Sequence, residues 1–182
     1  EAGTSGTLLE QELKTVLKPF TGELLGPNCL GYADPGKNLD LTFAKASPPP
    51  GNIAFITQSG AIGSYLFDWA KTEHLGFSKF ISLGNRLGIN ENQLLNFLTA
   101  DKFTQVIGLY LESFADPIEF LKQASRASRL KPIIVLFGGQ TKAGKKAAAG
   151  HTASLSPANK LINTLIRQSG CLKAASLEEL TN

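Results

Sequence analysis

The chain has 182 residues, 42% hydrophobic and 18% charged, with 18 basic residues against 15 acidic ones for a net charge of +3. That balance fits a globular domain with a proper core and is too weakly basic for nucleic-acid binding, the more so because the basic residues do not interleave with aromatics as a base-stacking platform requires. No apolar run approaches the ~20 residues needed to span a bilayer, and the chain opens without a charged, apolar, small-residue leader. Cys29 and Cys171 stand far apart with no CxxC pairing. A disulfide framework or a metal site is therefore not expected, and a cytoplasmic protein is. The complete lack of methionine, even at the start, suggests a fragment or a processed chain.

Residues 4–18 carry Leu8, Leu9, Leu13, Val16 and Leu17 near helical spacing, with Ser5 or Thr7 available as a cap. A turn-rich stretch, Gly26-Pro27-Asn28-Cys29-Leu30-Gly31, follows, and residues 32–50 read as irregular. The run Ser47-Pro48-Pro49-Pro50-Gly51 is incompatible with a helix or a central strand, which predicts a linker over 46–51 and a domain boundary there. Beyond it, near-continuous apolar runs predict parallel strands at 52–56, 79–83, 105–111 and 132–137, with a shorter one near 172–174. Helical patterns lie between them at 60–73, 91–100, 116–129 and 158–169, the first with Ile62, Leu66 and Trp69 on its apolar stripe, the third with Ile118, Leu121 and Ala124. Alternating strands and helices imply right-handed βαβ units in a doubly wound α/β sheet, whose ligands bind at the carboxyl ends of the strands.

Four loops therefore matter. In the first, Thr57-Gln58-Ser59-Gly60-Ala61, a strand hands over to a helix through small and hydroxylated residues. Backbone N–H groups and the positive helix end converge there and suit a phosphate, although a plain Ser N-cap with tight-turn glycines reads equally well. A nucleophile elbow at Ser59 lacks the G-x-S-x-G frame, because Thr57 takes the first glycine position. In the second loop, Gly84 and Gly88 favour a structural reading unless a ligand approaches the backbone. The third puts Glu112 at the end of a buried strand, where a carboxylate needs a partner; the plain alternative is a solvated glutamate, and Asp116 reads as the N-cap of the next helix.

The fourth loop, 138–157, runs without a large apolar anchor before Leu155. Loops beyond ~12–15 residues are uncommon in compact domains and are usually functional or disordered. Gly139 to Lys145 nearly spells a P-loop, but Lys146 stands where a magnesium-ligating Ser or Thr should, so that reading fails. What remains is a basic segment presenting His151 among small neighbours. A lone loop histidine is ordinarily just solvated. Neutral imidazole near a carboxylate and a helix amino end is a competent nucleophile. His74, at the end of the first crossover helix, reads as a C-terminal helix cap.

Together these segments resemble the NDP-forming acyl-CoA synthetases, the group containing succinyl-CoA synthetase and ADP-forming acetyl-CoA synthetase. The resemblance rests on GPNCLG at 26–31, GNIAFITQSGAIG at 51–63, ISLGN at 81–85, IGLYLES at 107–113, KPIIVL at 131–136 and AGHTASL at 149–155. It implies a flavodoxin-like, succinyl-CoA synthetase-like phosphohistidine domain over 52–182, preceded at 1–45 by the tail of a Rossmann-like CoA-binding domain. It implies that His151 accepts a phosphoryl group from acyl phosphate, that Glu112 holds the histidine, and that the helix opened by Gln58, Ser59, Gly60 and Ala61 steadies the phosphate. Asn28 and Cys29 would lie near the thioester end of CoA. ATP or ADP and Mg2+ would be bound mainly by a partner ATP-grasp domain or subunit, in an oligomeric full-length protein. Three positions depart from the pattern: Gly150-His151-Thr152-Ala153 is half like the succinyl form, Ser156-Pro157 replaces Ala-Gly, and Gly84-Asn85-Arg86-Leu87-Gly88 replaces a more acidic run. A ligase-like regulatory or scaffold domain of a fused protein acetyltransferase, with His151 idle, is the alternative.

Overall fold

A computed structural model describes residues 3–138 and 159–181. Helix α1 spans Gly3–Leu17. Strand β1, Tyr32–Asp34, turns through the 3-10 segment Pro35–Lys37 into β2, Leu39–Asp40. The alternating units follow as β3 Pro50–Thr57, α2 Gly60–Thr72, β4 Phe77–Ser82, α3 Glu91–Ala100, β5 Val106–Leu111, α4 Pro117–Ala127 and β6 Ile133–Phe137. Beyond residue 158 come α5 Asn159–Gln168, β7 Leu172–Ala174 and α6 Leu177–Thr181. The described strands form one sheet in the order β2-β1-β4-β3-β5-β6-β7. All neighbours from β4 to β7 pair in parallel, and β1 and β2 add antiparallel at one edge. Counting only the parallel strands, the order is 2-1-3-4-5, the flavodoxin-like winding.

The period-2 alternation of the strands builds two cores. On one face Ala54, Ile56, Ile81, Ile107, Leu109 and Val135 pack against Leu95 and Leu98 of α3, Phe120 and Ala124 of α4, and Ile162 and Ile166 of α5. On the opposite face Phe55, Phe77 and Phe80 meet Leu66, Phe67 and Ala70 of α2. Phe67 and Phe80 sit edge to face at 4.5 Å between ring centres, a geometry that adds to their area burial. Gly63 of α2 is required by this contact, because a Cβ there would lie 2.5 Å from the Phe80 ring.

Several expectations need correction. Residues 32–40 are not irregular. Asn38, in the left-handed region at φ 53, closes the turn that pairs Ala33 with Asp40, and Tyr32 and Ala33 pair onto β4. The proline run does not stop before the sheet either. Pro50 and Gly51 belong to β3, and the Pro49 carbonyl accepts from the Phe77 amide at 2.8 Å. A proline at the start of a strand forfeits no ladder bond that is needed there, while its carbonyl still accepts. The apolar stripe of α4 is Phe120, Ala124 and Ala127, and Ile118 is 80% exposed. Asp116 caps that helix by accepting from the Ile118 and Glu119 amides, so the first turn faces outward. His74, by contrast, closes the helix as expected: it sits at φ 54 just beyond α2. Its amide donates to Lys71 and that of Leu75 to Ala70, the paired bonds of a left-handed helix end.

A buried ion network fastens the antiparallel edge. Lys79 of β4, 3% exposed, reaches Asp34 of β1 at 3.2 Å and Asp101 at 3.3 Å. The Thr104 hydroxyl donates to the same Asp101 oxygen at 2.6 Å. Burial works to raise the Asp101 carboxyl, but the Thr104 bond and the Lys79 charge outweigh it and hold the group below its ordinary 3.8. A carboxyl depressed by folding stabilises above its unfolded pKa, and the benefit disappears as pH falls through the lower folded value. Urea titrations of Asp101→Asn between about pH 7 and pH 2 should therefore show lower stability than wild type near neutrality and a flatter acid limb.

Candidate functional site

Winding direction reverses between β3 and β5, and the crevice at their carboxyl ends is where such sheets take ligands. The loop after β3 enters α2 through a compact turn. Thr57, fully buried, accepts from the Ser59 amide at 3.0 Å and donates to the Ser59 carbonyl at 2.9 Å. Ser59, extended at φ −112, caps α2 by accepting from Ile62. Helix geometry leaves the first amides without intrahelical acceptors, and among the described residues Gly60 and Ala61 find none elsewhere. Two N–H donors and the positive helix end thus face the crevice, an arrangement suited to an anion.

Gln58 plays a different part. Its backbone amide donates to Tyr110, and its side-chain oxygen accepts from the amides of Glu112 at 2.7 Å and Ser113 at 3.1 Å. Its side-chain nitrogen donates to the Ser113 carbonyl at 2.9 Å. Both ends of the carboxamide are committed to the loop after β5, so Gln58 ties together the two loops that wall the crevice.

Glu112 follows the last residue of β5, half-buried, and neighbours Gly138, whose Cβ would stand 3.3 Å from the Glu112 Cγ and 2.6 Å from the Tyr110 hydroxyl. Burial first, and then the Glu112 carboxylate, push the Tyr110 phenol up. The Gly138 amide donates to Leu111 at 2.7 Å, so the chain leaves β6 for residues 139–158 directly beside Glu112. His151 lies outside the described residues.

The segment 24–31 lies along the loop after β4. Ile89, Leu87 and Asn85 donate to Leu24, Gly26 and Pro27, and Ser82 donates to Gly31. This close approach explains both glycines of that loop: a Cβ on Gly84, at φ 54, would fall 2.2 Å from the Pro27 carbonyl, and one on Gly88 would fall 2.5 Å from that of Leu24. Both glycines are there for packing. Asn28, left-handed at φ 56, and Cys29 keep amides without acceptors among the described residues. Leu30 packs against the start of α2, 3.6 Å from where a Gly60 Cβ would be. The Asn28–Cys29 turn and the Gly60–Ala61 amides therefore belong to one neighbourhood.

Sequence reasoning missed Arg86 and Glu91. Arg86 donates through Nη1 to the Ser113 carbonyl at 2.8 Å and to Glu91 at 3.0 Å, and through Nη2 to the Ser113 hydroxyl at 2.6 Å. Glu91, fully buried in the first turn of α3, also accepts from the Ala115 amide at 2.6 Å. A charged residue on the first turn of a predicted helix reads as an ordinary dipole partner, and nothing in the spacing reveals the second loop it serves.

Residues 50–182 match the family described as the succinyl-CoA ligase-like flavodoxin domain. The chain belongs to that family. It is 39% identical over 99% of its length to an ADP-forming acetate–CoA ligase I from Archaeoglobus fulgidus, and 40% identical over 96% to the ADP-forming acetate–CoA ligase of Methanocaldococcus jannaschii. It superposes over 95% of its length, with a TM-score of 0.88 and 38% identity, on the dinucleotide-forming acetyl-coenzyme A synthetase 1 of Ca. Korarchaeum cryptofilum in complex with phosphate and ADP. The chain spans 26% and 25% of the two ligases and 38% of the synthetase chain.

Loss of the Gln58 carboxamide should leave the half-buried Glu112 and Ser113 amides unsatisfied. Gln58→Ala is expected to lower stability by about 1–3 kcal/mol in a denaturant titration.

Proposed function

We propose that this chain is the phosphohistidine part of an NDP-forming acyl-CoA ligase, which interconverts acyl-CoA, phosphate and NDP with acid, CoA and NTP. The observation that carries the reading is that Glu112 and the Gly60 and Ala61 amides, which find no acceptor among the described residues, stand at the carboxyl ends of the neighbouring strands β5 and β3, with Gly138 beside Glu112 at the start of the segment that carries His151. The ligases similar to this chain favour it over a regulatory domain of an acetyltransferase.

In this mechanism neutral His151 attacks the phosphorus of an acyl phosphate, and the bond from phosphorus to the acyl oxygen breaks to release the acid. Glu112 accepts a hydrogen bond from the imidazole and so fixes its tautomer. The Gly60 and Ala61 amides stabilise the transferred charge, where a helix end contributes about 0.3–2 kcal/mol. The bond from phosphorus to nitrogen then breaks on transfer to NDP. CoA supplies the thiol that exchanges with phosphate at the acyl carbon. The amides of Asn28 and Cys29, without acceptors among the described residues, suit a carbonyl oxygen of such a ligand, which is the fit this chain offers to CoA.

Residues 1–45 would close a CoA-binding domain that joins the sheet through β1 and β2, with 46–49 as the connection and the phosphohistidine domain opening at Pro50 with β3. ATP or ADP and Mg2+ would be held mainly by an ATP-grasp domain or subunit within an oligomer. One relative, from Pyrococcus furiosus, is named a subunit alpha, which favours such a division. Free Cys29 and Cys171 suit the reducing cytoplasm.

The test is incubation of the full-length protein with labelled ATP and magnesium, followed by detection of acid-labile phosphate. Wild type should carry label and His151→Ala should carry none; an unlabelled wild type would sink the ligase reading.

A further inference from the structure

We propose that Arg86 and Glu91 are a positioning pair that holds the loop after β5, and with it Glu112, in the geometry that phosphoryl transfer to His151 needs. The inference rests on the functional reading above and adds to it two residues that touch no substrate.

Past Leu111 the β5 ladder ends, yet the first residues of the loop that follows are part-buried, so their polar groups need other partners. Side chains from three elements provide them. Gln58 takes the amides of Glu112 and Ser113, and shares the Ser113 carbonyl with Arg86. Glu91 takes the Ala115 amide, and Asn92 donates to the Asp116 carbonyl at 3.3 Å. Arg86 also holds the Ser113 hydroxyl, so its planar fork grips one residue at two points.

Charge assigns the pair to positioning and not to anion binding. Glu91 has no exposed surface, and its carboxylate neutralises the guanidinium at 3.0 Å. The two together bring no net charge to the crevice. The backbone adds an independent sign: Arg86 is held at φ 58, a conformation unfavourable for a side chain of this kind. Such outliers persist where the surroundings over-determine them, often beside functional sites. Here the left-handed backbone delivers the guanidinium from the loop after β4 across to the loop after β5.

The strain also supplies a discriminating variant. Arg86→Gly removes the guanidinium while relieving the backbone conformation, and Arg86→Lys keeps a charge without the fork. Both, with Glu91→Gln, are to be made in the full-length enzyme. Hydrogen exchange of residues 112–116 would be measured beside single-turnover labelling of His151 by acetyl phosphate. In Arg86→Gly, exchange at Glu112, Ser113 and Ala115 should rise by at least about tenfold while β3 and α2 stay protected. Labelling should slow by roughly tenfold to a hundredfold, and the KM for acetyl-CoA should change by less than about threefold. Arg86→Lys should recover part of the rate, and Glu91→Gln should resemble Arg86→Gly. Unchanged exchange, or faster exchange with an unchanged labelling rate, would overturn the proposal. A wild type that takes no label would defeat the phosphoryl-transfer reading and the positioning role with it, and the exchange data would still decide whether the pair clamps the loop.

Discussion

Where β3 and β5 part, the backbone of residues 112–116 has no strand left to pair with and cannot turn to water for all of its polar groups. That constraint organises the carboxyl edge of the sheet. Gln58 reaches over from the loop after β3, Arg86 from the loop after β4, and Glu91 and Asn92 from the first turn of α3. Each satisfies a part of the loop that the ladder abandons. The crevice so formed holds Glu112 at the same strand ends as the Gly60 and Ala61 amides, which have no acceptor among the described residues. Buried polar networks rigidify a site when their members have partners, and among the buried side-chain nitrogens and oxygens of the described residues only the Asn92 Oδ1 is without one.

The same logic extends outward through close backbone approach. Gly84 and Gly88 let the 24–31 segment lie against the loop after β4 with no room for a Cβ. Asn28 and Cys29 are thereby fixed beside the amino end of α2. On the opposite side, Gly138 starts the departure toward His151 with its Cβ position filled by Tyr110 and Glu112. The three candidate groups are thus set by backbone packing before any ligand arrives, as a site that favours a transition state requires.

Much of this is legible in the sequence because it follows from local pattern. Apolar runs mark the parallel strands, since both faces of each are covered, and Asn90 with Gln93 forms the box that opens α3 where the pattern begins. The edge hairpin at 32–40 is not legible, because β1 and β2 are short and owe their order to Lys79, Asp34 and a left-handed Asn38. Pro50 misleads in a physical way: its missing N–H matters only where a ladder needs it. Position marks Gln58 as part of the strand-end turn, but does not reveal that its carboxamide ties that turn to Glu112 and Ser113. Arg86 and Glu91 carry no local signal at all. Their meaning lies in a contact with Ser113, 27 residues from Arg86, which no periodicity reports.

The ligases and the synthetase similar to this chain are each much longer than it is, and in the proposed reaction the crevice is one station of a longer path. In the geometry we propose, the phosphoryl group on His151 is seated between Glu112 and the amino end of α2. A crystal structure of the full-length enzyme trapped with the phosphorylated histidine measures this directly. Phosphate oxygens should lie within hydrogen-bond distance of the Gly60 and Ala61 amides, with the imidazole bonded to Glu112. A phosphohistidine seated at the amino ends of the strands, or one contacting neither Glu112 nor α2, would contradict the claim.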